Sequence, residues 1–99
     1  MLRYALSMIQ SFAHDDTEAV FLTGTSRKWA NVARIAARGL QAVDFASAIE
    51  DLLKPPGNRL EKLKSDREGC WSIRMNDRFR VCFRWDGNDA WDVEIVDFR

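Results

Sequence analysis

The last thirty residues constrain the fold most strongly, because their apolar side chains alternate with polar ones. Between positions 71 and 95 the large apolar residues all carry odd numbers: Trp71, Ile73, Met75, Phe79, Val81, Phe83, Trp85, Trp91, Val93 and Ile95. A period of two is typical of β-strands with one buried face. Residues 76–78 and 86–89 have the composition of turns, so the pattern predicts an antiparallel meander of three strands.

The two hairpins fit together without moving an apolar side chain to the wrong face. This holds if residue 75 pairs with 79 in the first hairpin and residue 85 pairs with 91 in the second. The other face, here called the arginine face, then carries Ser72, Arg74, Arg80, Cys82 and Arg84. Arg74 lies directly opposite Arg80, and like charges in such a pair destabilise a sheet. The arginine face is therefore predicted to bind an anion.

A purely structural role for these arginines is the alternative. In the same register Asp92 and Glu94 lie on the third strand, opposite Arg84 and Cys82. These carboxylates would neutralise Arg84 and leave Arg74 and Arg80 poorly matched. The pattern alone leaves both interpretations open.

The first half of the chain is predicted to be mainly helical. Residues 8–12 resemble a short strand, and the acidic run 15–18 starts a helix that Gly24 ends. A second helical region begins at 25 or 26, and Gly39 and Asp44 mark a bend or break within it. Its apolar stripe has helical spacing: Val32, Ala36, Leu40, Val43, Ala46, Ile49 and Leu53. Residues 55–58 end this region, and a basic loop is predicted over 59–68.

Composition limits the class of protein. A chain of 99 residues with 46% hydrophobic residues can form one core, so we predict a single domain over 1–99, with 1–7 as a possible N-terminal extension. No apolar run approaches the ~20 residues of a membrane span. Two cysteines and one histidine do not suggest a metal site, no motif indicates a cofactor, and free thiols suit the cytoplasm.

Charge is segregated along the chain although the formal net charge is zero. Residues 54–84 contain nine Lys or Arg against four Asp or Glu, and residues 85–99 contain one against five. This basic middle region contains most of the groups that metal-free RNA cleavage would use: Lys64, Arg74, Arg80, Asp97 and Arg99. Arginine suits the stabilisation of a phosphorane because its planar fork matches phosphate oxygens. A lysine or carboxylate can help the 2′-hydroxyl lose its proton.

Several segments of the chain together resemble the HigB toxins, a branch of the RelE superfamily of bacterial toxin–antitoxin systems. They are residues 55–61 (PPGNRLE), 66–69 (DREG), 72–77 (SIRMND), 79–83 (FRVCF) and 93–97 (VEIVD). They occur in the family's order from about Met8 to the C-terminus. The resemblance implies an α+β, RelE-like fold, in which a short N-terminal strand and two to three helices pack on one face of a C-terminal antiparallel meander.

The same resemblance implies an activity and partners. HigB toxins are ribosome-dependent mRNA endonucleases that act in the A site, and a HigA-type helix-turn-helix antitoxin neutralises them. Matched to the family position by position, the catalytic residues fall on Lys64, Arg80, Asp97 and Arg99. We add Arg59, Arg74, Arg84 and Phe98 as RNA-binding residues.

The C-terminus departs from the family's pattern. Phe98 stands where the family has tyrosine, Arg99 stands where it has histidine, and Glu61 replaces a loop histidine of some members. Phe98 can still stack on a base, but Arg99 is a poor general acid. Two alternatives therefore remain: a binding module that engages antitoxin or ribosome without cleaving, and, less favoured because Lys64 and Arg80 are retained, a gyrase inhibitor of the ParE branch.

Overall fold

The computed structural model describes residues 8–64 and 69–98. The predicted N-terminal extension, part of the basic loop and Arg99 lie outside these ranges. Short 3-10 turns occur at Ala30–Val32, Ile49–Leu53 and Pro56–Asn58. The regular elements are α1 (Asp15–Thr23), α2 (Ala33–Phe45), β1 (Glu61–Lys62), β2 (Cys70–Arg74), β3 (Phe79–Asp86) and β4 (Asp89–Asp97).

The four strands form one antiparallel sheet in the order β1-β2-β3-β4. This confirms the predicted meander, and the first hairpin has the predicted register, with Arg74 opposite Arg80. The loop prediction over 59–68 is wrong at one point. Glu61 and Lys62 pair with Ser72 and Trp71 and add a short edge strand to the sheet.

The second hairpin contains a β-bulge that the alternation did not reveal. Cys82 lies opposite Glu94 as predicted, but Arg84 lies opposite Trp91, so the register shifts by one residue between these pairs. Asp92 takes up the extra residue with φ +53°, in the left-handed region. The predicted place of Trp91 on the apolar face is therefore wrong, because Ala90 fills that buried position.

The segment before α1 runs parallel to β4 and closes its outer edge beside the bulge. Ile9 and Phe12 form isolated bridges with Ala90 and Val93, in place of the continuous strand predicted for 8–12. Ser11 explains the interruption, because its hydroxyl accepts the backbone N–H of Asp92 at 2.8 Å.

Both helices pack on the apolar face of the sheet. The core joins Val20 of α1 and Leu40 of α2 to β-strand residues such as Val81 and Phe83, all fully buried. Gly39 permits this close packing, since a Cβ there would lie 3.1 Å from a methyl group of Val81. Within the ranges given above, no helix is long and apolar enough to cross a membrane.

The helix boundaries differ in part from the predicted ones. Gly24 ends α1 with φ +90°, as expected of a C′ glycine. The second helix starts at Ala33 rather than at 25 or 26, and it ends just after Asp44, not at Gly39. The last predicted stripe residue, Leu53, is exposed, and Leu52 is buried instead, because a 3-10 turn replaces α-helix there and changes the spacing.

Candidate active site

Arg80 is the best-anchored cation of the arginine face. Its Nε donates to the Ser72 hydroxyl at 2.7 Å, and its Nη2 donates to the carbonyl of Arg59 at 2.5 Å. The Glu61 carboxylate lies 3.8 Å from Nη2, and only 11% of the Arg80 side chain is exposed. None of the hydrogen bonds among the described residues engages Nη1. The guanidinium is thus fixed on one side and keeps donors for a ligand on the other.

The other two arginines of this face have carboxylate partners. Arg74 forms an ion pair with Asp77 in the turn that follows β2. The Nε of Arg84 lies 3.5 Å from a carboxylate oxygen of Asp92, as the structural alternative anticipated. The prediction that Arg74 lacks a matching acid is therefore wrong, because the turn between β2 and β3 supplies Asp77.

The bulge adds an aromatic side chain to the arginine face. Trp91 faces the same side as Arg84, whose Cζ lies 5.7 Å from the centre of the indole ring. An aromatic ring beside a guanidinium can stack on a nucleobase while the cation holds the phosphate. Trp91 was missed from the sequence because its odd position matched the apolar pattern.

Asp97 does not join the arginine face. It pairs with Phe79 at the end of the β3–β4 ladder, and no bulge turns it toward Arg80. Its carboxylate accepts hydrogen bonds from Nε and Nη2 of Arg78, at 3.0 and 2.8 Å. This hydrogen bond, with the charge of Asp97, raises the pKa of the Arg78 guanidinium above its ordinary value. Arg78 therefore remains a fixed cation beside Asp97.

A polar cleft surrounds this pair at the outer edge of β4. The cleft, here called the edge cleft, has a volume of about 490 Å³ and lies between β4, the start of α1 and the segment before α2. It contains the only histidine of the sequence, and Nε2 of His14 lies 3.4 Å from Oε1 of Glu94. The charged or polar side chains of its wall are His14, Lys28, Asn31, Arg78, Glu94 and Asp97.

The remaining predicted site residues are less constrained. Lys64 and the side chain of Arg59 are exposed, Phe98 is 43% exposed, and Arg99 lies outside the described residues. The backbone N–H of Phe98 donates to the carbonyl of Arg78 at 2.7 Å and continues the β4 ladder. Phe98 is thus held next to the edge cleft with part of its ring open to solvent.

The described part of the chain contains few groups suited to cysteine or metal chemistry. Cys70 is half-buried and Cys82 is buried. In residues 8–64 and 69–98, no group of three or more His, Cys, Asp or Glu side chains has a metal-binding arrangement.

The edge cleft was mostly missed from the sequence. His14 immediately precedes α1, and nothing in its sequence neighbourhood links it to β4. Lys28 and Asn31 carry no local signal, because only the packing of their segment on the sheet, where Trp29 contacts Phe79, brings them there. The sequence does contain a signal for Arg78, because the predicted register places the turn between β2 and β3 beside the end of the third strand.

Comparison with known proteins agrees with this architecture. The family model described as "RelE-like toxin of type II toxin-antitoxin system HigB" matches residues 10–98. The protein named Toxin HigB-1 from Vibrio cholerae serotype O1 is 46% identical over 48 residues, which cover 48% of this chain and about half (50%) of that protein. The protein named Endoribonuclease HigB from Proteus vulgaris is 36% identical over 93 residues, 92% of this chain and 99% of that protein.

A match across nearly the whole described chain defines the class as a RelE-like toxin. The chain belongs to the HigB family of these toxins, the toxin components of type II toxin–antitoxin systems. Membership of such a system implies an antitoxin partner.

Proposed function

We propose that this protein is an endoribonuclease that cleaves mRNA on the ribosome and thereby inhibits translation. The proposed catalytic residues are Lys64, Arg80, Asp97 and Arg99. Arg59, Arg74, Arg84 and Phe98 are proposed to hold the RNA, and a HigA-type helix-turn-helix protein is proposed as the antitoxin. Work on ribosomes would place the protein in the cytoplasm.

The geometry of Arg80 is the main observation that supports the proposal. A guanidinium fixed by Ser72 and the Arg59 carbonyl loses little freedom when it binds a phosphate, because its orientation is already set. Its charge is only partly offset by Glu61, at 3.8 Å. Such a preorganised cation favours the extra negative charge that develops on a phosphorane during strand cleavage.

The relatives support the same activity. The Proteus vulgaris protein is named an endoribonuclease, and its alignment covers almost all of both chains. The aromatic rings of Trp91, beside Arg84, and of Phe98, next to Asp97 in the chain, give two partly exposed stacking surfaces, which suits single-stranded RNA.

Induced expression tests the proposal. Growth should stop, and mRNA 5′ ends should map inside translated codons, while a matched culture with Arg80→Ala should keep growing with intact messages. Purified protein should cut a message bound to ribosomes and leave the same message intact without them. Normal growth with intact mRNA at high expression of the unaltered chain would refute the proposal.

A binding module without cleavage is the second candidate function. It is favoured by the carboxylate partners of Arg74 and Arg84, which reduce the charge available to RNA, and by the replacements at 98 and 99. In that case the unaltered chain is harmless, and the double change Phe98→Tyr with Arg99→His makes it toxic. Full toxicity of the unaltered chain excludes this candidate.

A further inference from the structure

We infer that His14 is the general acid of the RNA cleavage reaction and donates a proton to the leaving 5′-oxygen. The inference rests on the proposed function and deepens it. It assigns the proton-transfer step to a residue that lies more than eighty positions from the C-terminus in the sequence but in the same cleft as Asp97.

The edge cleft combines the groups that this reaction needs. Two carboxylates, Glu94 and Asp97, and two cations, Lys28 and Arg78, line it together with His14. The cations can bind the phosphate, and a carboxylate can accept the proton of the 2′-hydroxyl. Of the side chains in this wall, only imidazole is of a type that readily gives up a proton near neutral pH.

The contacts of His14 fit an oriented acid. Its Nε2 lies 3.4 Å from Oε1 of Glu94, whose side chain is 19% exposed and so has a restricted position. Among the described residues no hydrogen bond engages Nδ1, so this nitrogen can face a substrate while the Glu94 carboxylate lies beside Nε2. A carboxylate that orients an imidazole in this way is a common arrangement in proton transfer.

The backbone holds His14 firmly while its ring remains accessible. The residue immediately precedes α1, and its carbonyl accepts the N–H of Glu18 at 3.2 Å. Its neighbour Ala13 donates its N–H to the carbonyl of Val93 at 2.9 Å and ties this segment to β4. The His14 side chain is nevertheless 63% exposed, so a substrate as large as mRNA can reach it.

The proposed step balances in atoms and protons without another reactant. The 2′-oxygen forms a bond to phosphorus while its proton passes to the Asp97 carboxylate. The bond between phosphorus and the 5′-oxygen breaks, and this oxygen takes the proton of the His14 imidazolium. The negative charge of the phosphate stays on its non-bridging oxygens throughout, and the products are a 2′,3′-cyclic phosphate and a 5′-hydroxyl.

A substrate with a sulfur leaving group tests the assignment. His14→Gln keeps a polar side chain next to Glu94 but cannot supply the proton. We expect it to slow cleavage of an ordinary ribosome-bound message by roughly 10²-fold, as loss of acid–base catalysis does. The same variant should cleave a message with a 5′-bridging phosphorothiolate at the scissile bond at close to the wild-type rate, because a thiolate leaves without protonation.

Two variants provide controls in the same assay. Asp97→Asn should be slow on both messages, since sulfur does not replace the base. Arg34→Gln, on an exposed part of α2 that does not line the edge cleft, should behave like wild type on both. Thermal unfolding of His14→Gln at the wild-type temperature verifies that the fold is retained.

The outcomes separate this inference from the proposed function. A wild-type protein that cleaves, together with a His14→Gln variant that is unaffected or equally slow on both messages, overturns the role of His14 alone. A wild-type protein that leaves both ribosome-bound messages intact overturns the proposed function and this inference with it.

Discussion

The arginine face and the edge cleft present charge in two different ways. On the arginine face, Arg80 is almost covered and is held by neutral oxygens of Ser72 and Arg59. In the edge cleft, Arg78 and His14 are about half exposed or more, and their partners are carboxylates. A fixed cation suits the stabilisation of a transition state, whereas an exposed imidazole suits proton transfer. The two regions are therefore proposed to divide one reaction between them.

Removal of the fixed cation should have the largest effect. Arg80→Ala is expected to lower the cleavage rate on ribosomes by roughly 10³-fold, the upper end for loss of one preorganised donor, because the scaffold of Ser72 and Arg59 loses its partner as well. Single-turnover rates on a ribosome-bound message measure the effect. Arg80→Lys keeps the charge but not the fork, and should recover only part of the rate.

Asp97 tests whether the edge cleft takes part in chemistry. Asp97→Asn keeps the shape of the side chain and should reduce the maximal rate by about 10²-fold, the low end for acid–base catalysis, with little change in the affinity for ribosomes. Rates at saturating and limiting ribosome concentrations separate the two effects. A variant that loses affinity alone would reassign Asp97 to the positioning of Arg78.

The bulge at Asp92 places Trp91 beside Arg84 on the arginine face, and its backbone can be tested directly. Asp92→Val places a β-branched residue at φ +53° and should lower the free energy of unfolding by about 1–3 kcal/mol. Asp92→Gly accepts this conformation and should cost less, although both variants lose the contact with Arg84. Urea unfolding compares them, and equal losses would show that the carboxylate matters more than the backbone conformation.

The smallest effect is expected at Arg84. This residue lies on the arginine face like Arg80, but it is 45% exposed and already near Asp92. Because its charge is screened by solvent and partly neutralised by Asp92, it adds little to phosphate binding. Arg84→Ala should therefore change the cleavage rate by less than roughly threefold. The same single-turnover assay applies, and a loss as large as that of Arg80→Ala would show that the whole face acts as one phosphate site.

The sheet could be predicted from the sequence because the alternation of apolar and polar side chains is a local property. The odd-numbered apolar residues of β2 and β3 determine which face is buried, and this places Arg74 opposite Arg80 without any tertiary information. The bulge could not be predicted, because Trp91 fits an unbroken alternation equally well. Ser11, some eighty positions earlier, takes part in the irregularity through its bond to Asp92.

The sequence by itself determined the class of fold, its buried face and the family to which the chain belongs. These depend on periodic patterns and on the order of motifs, both of which can be recognised in the sequence without knowledge of tertiary contacts. Only the tertiary structure decided that Asp97 pairs with Arg78, and that His14 and Lys28 share its cleft. The reason is physical: a cleft is made where distant segments pack, and side chains brought together in this way have no fixed spacing in the sequence.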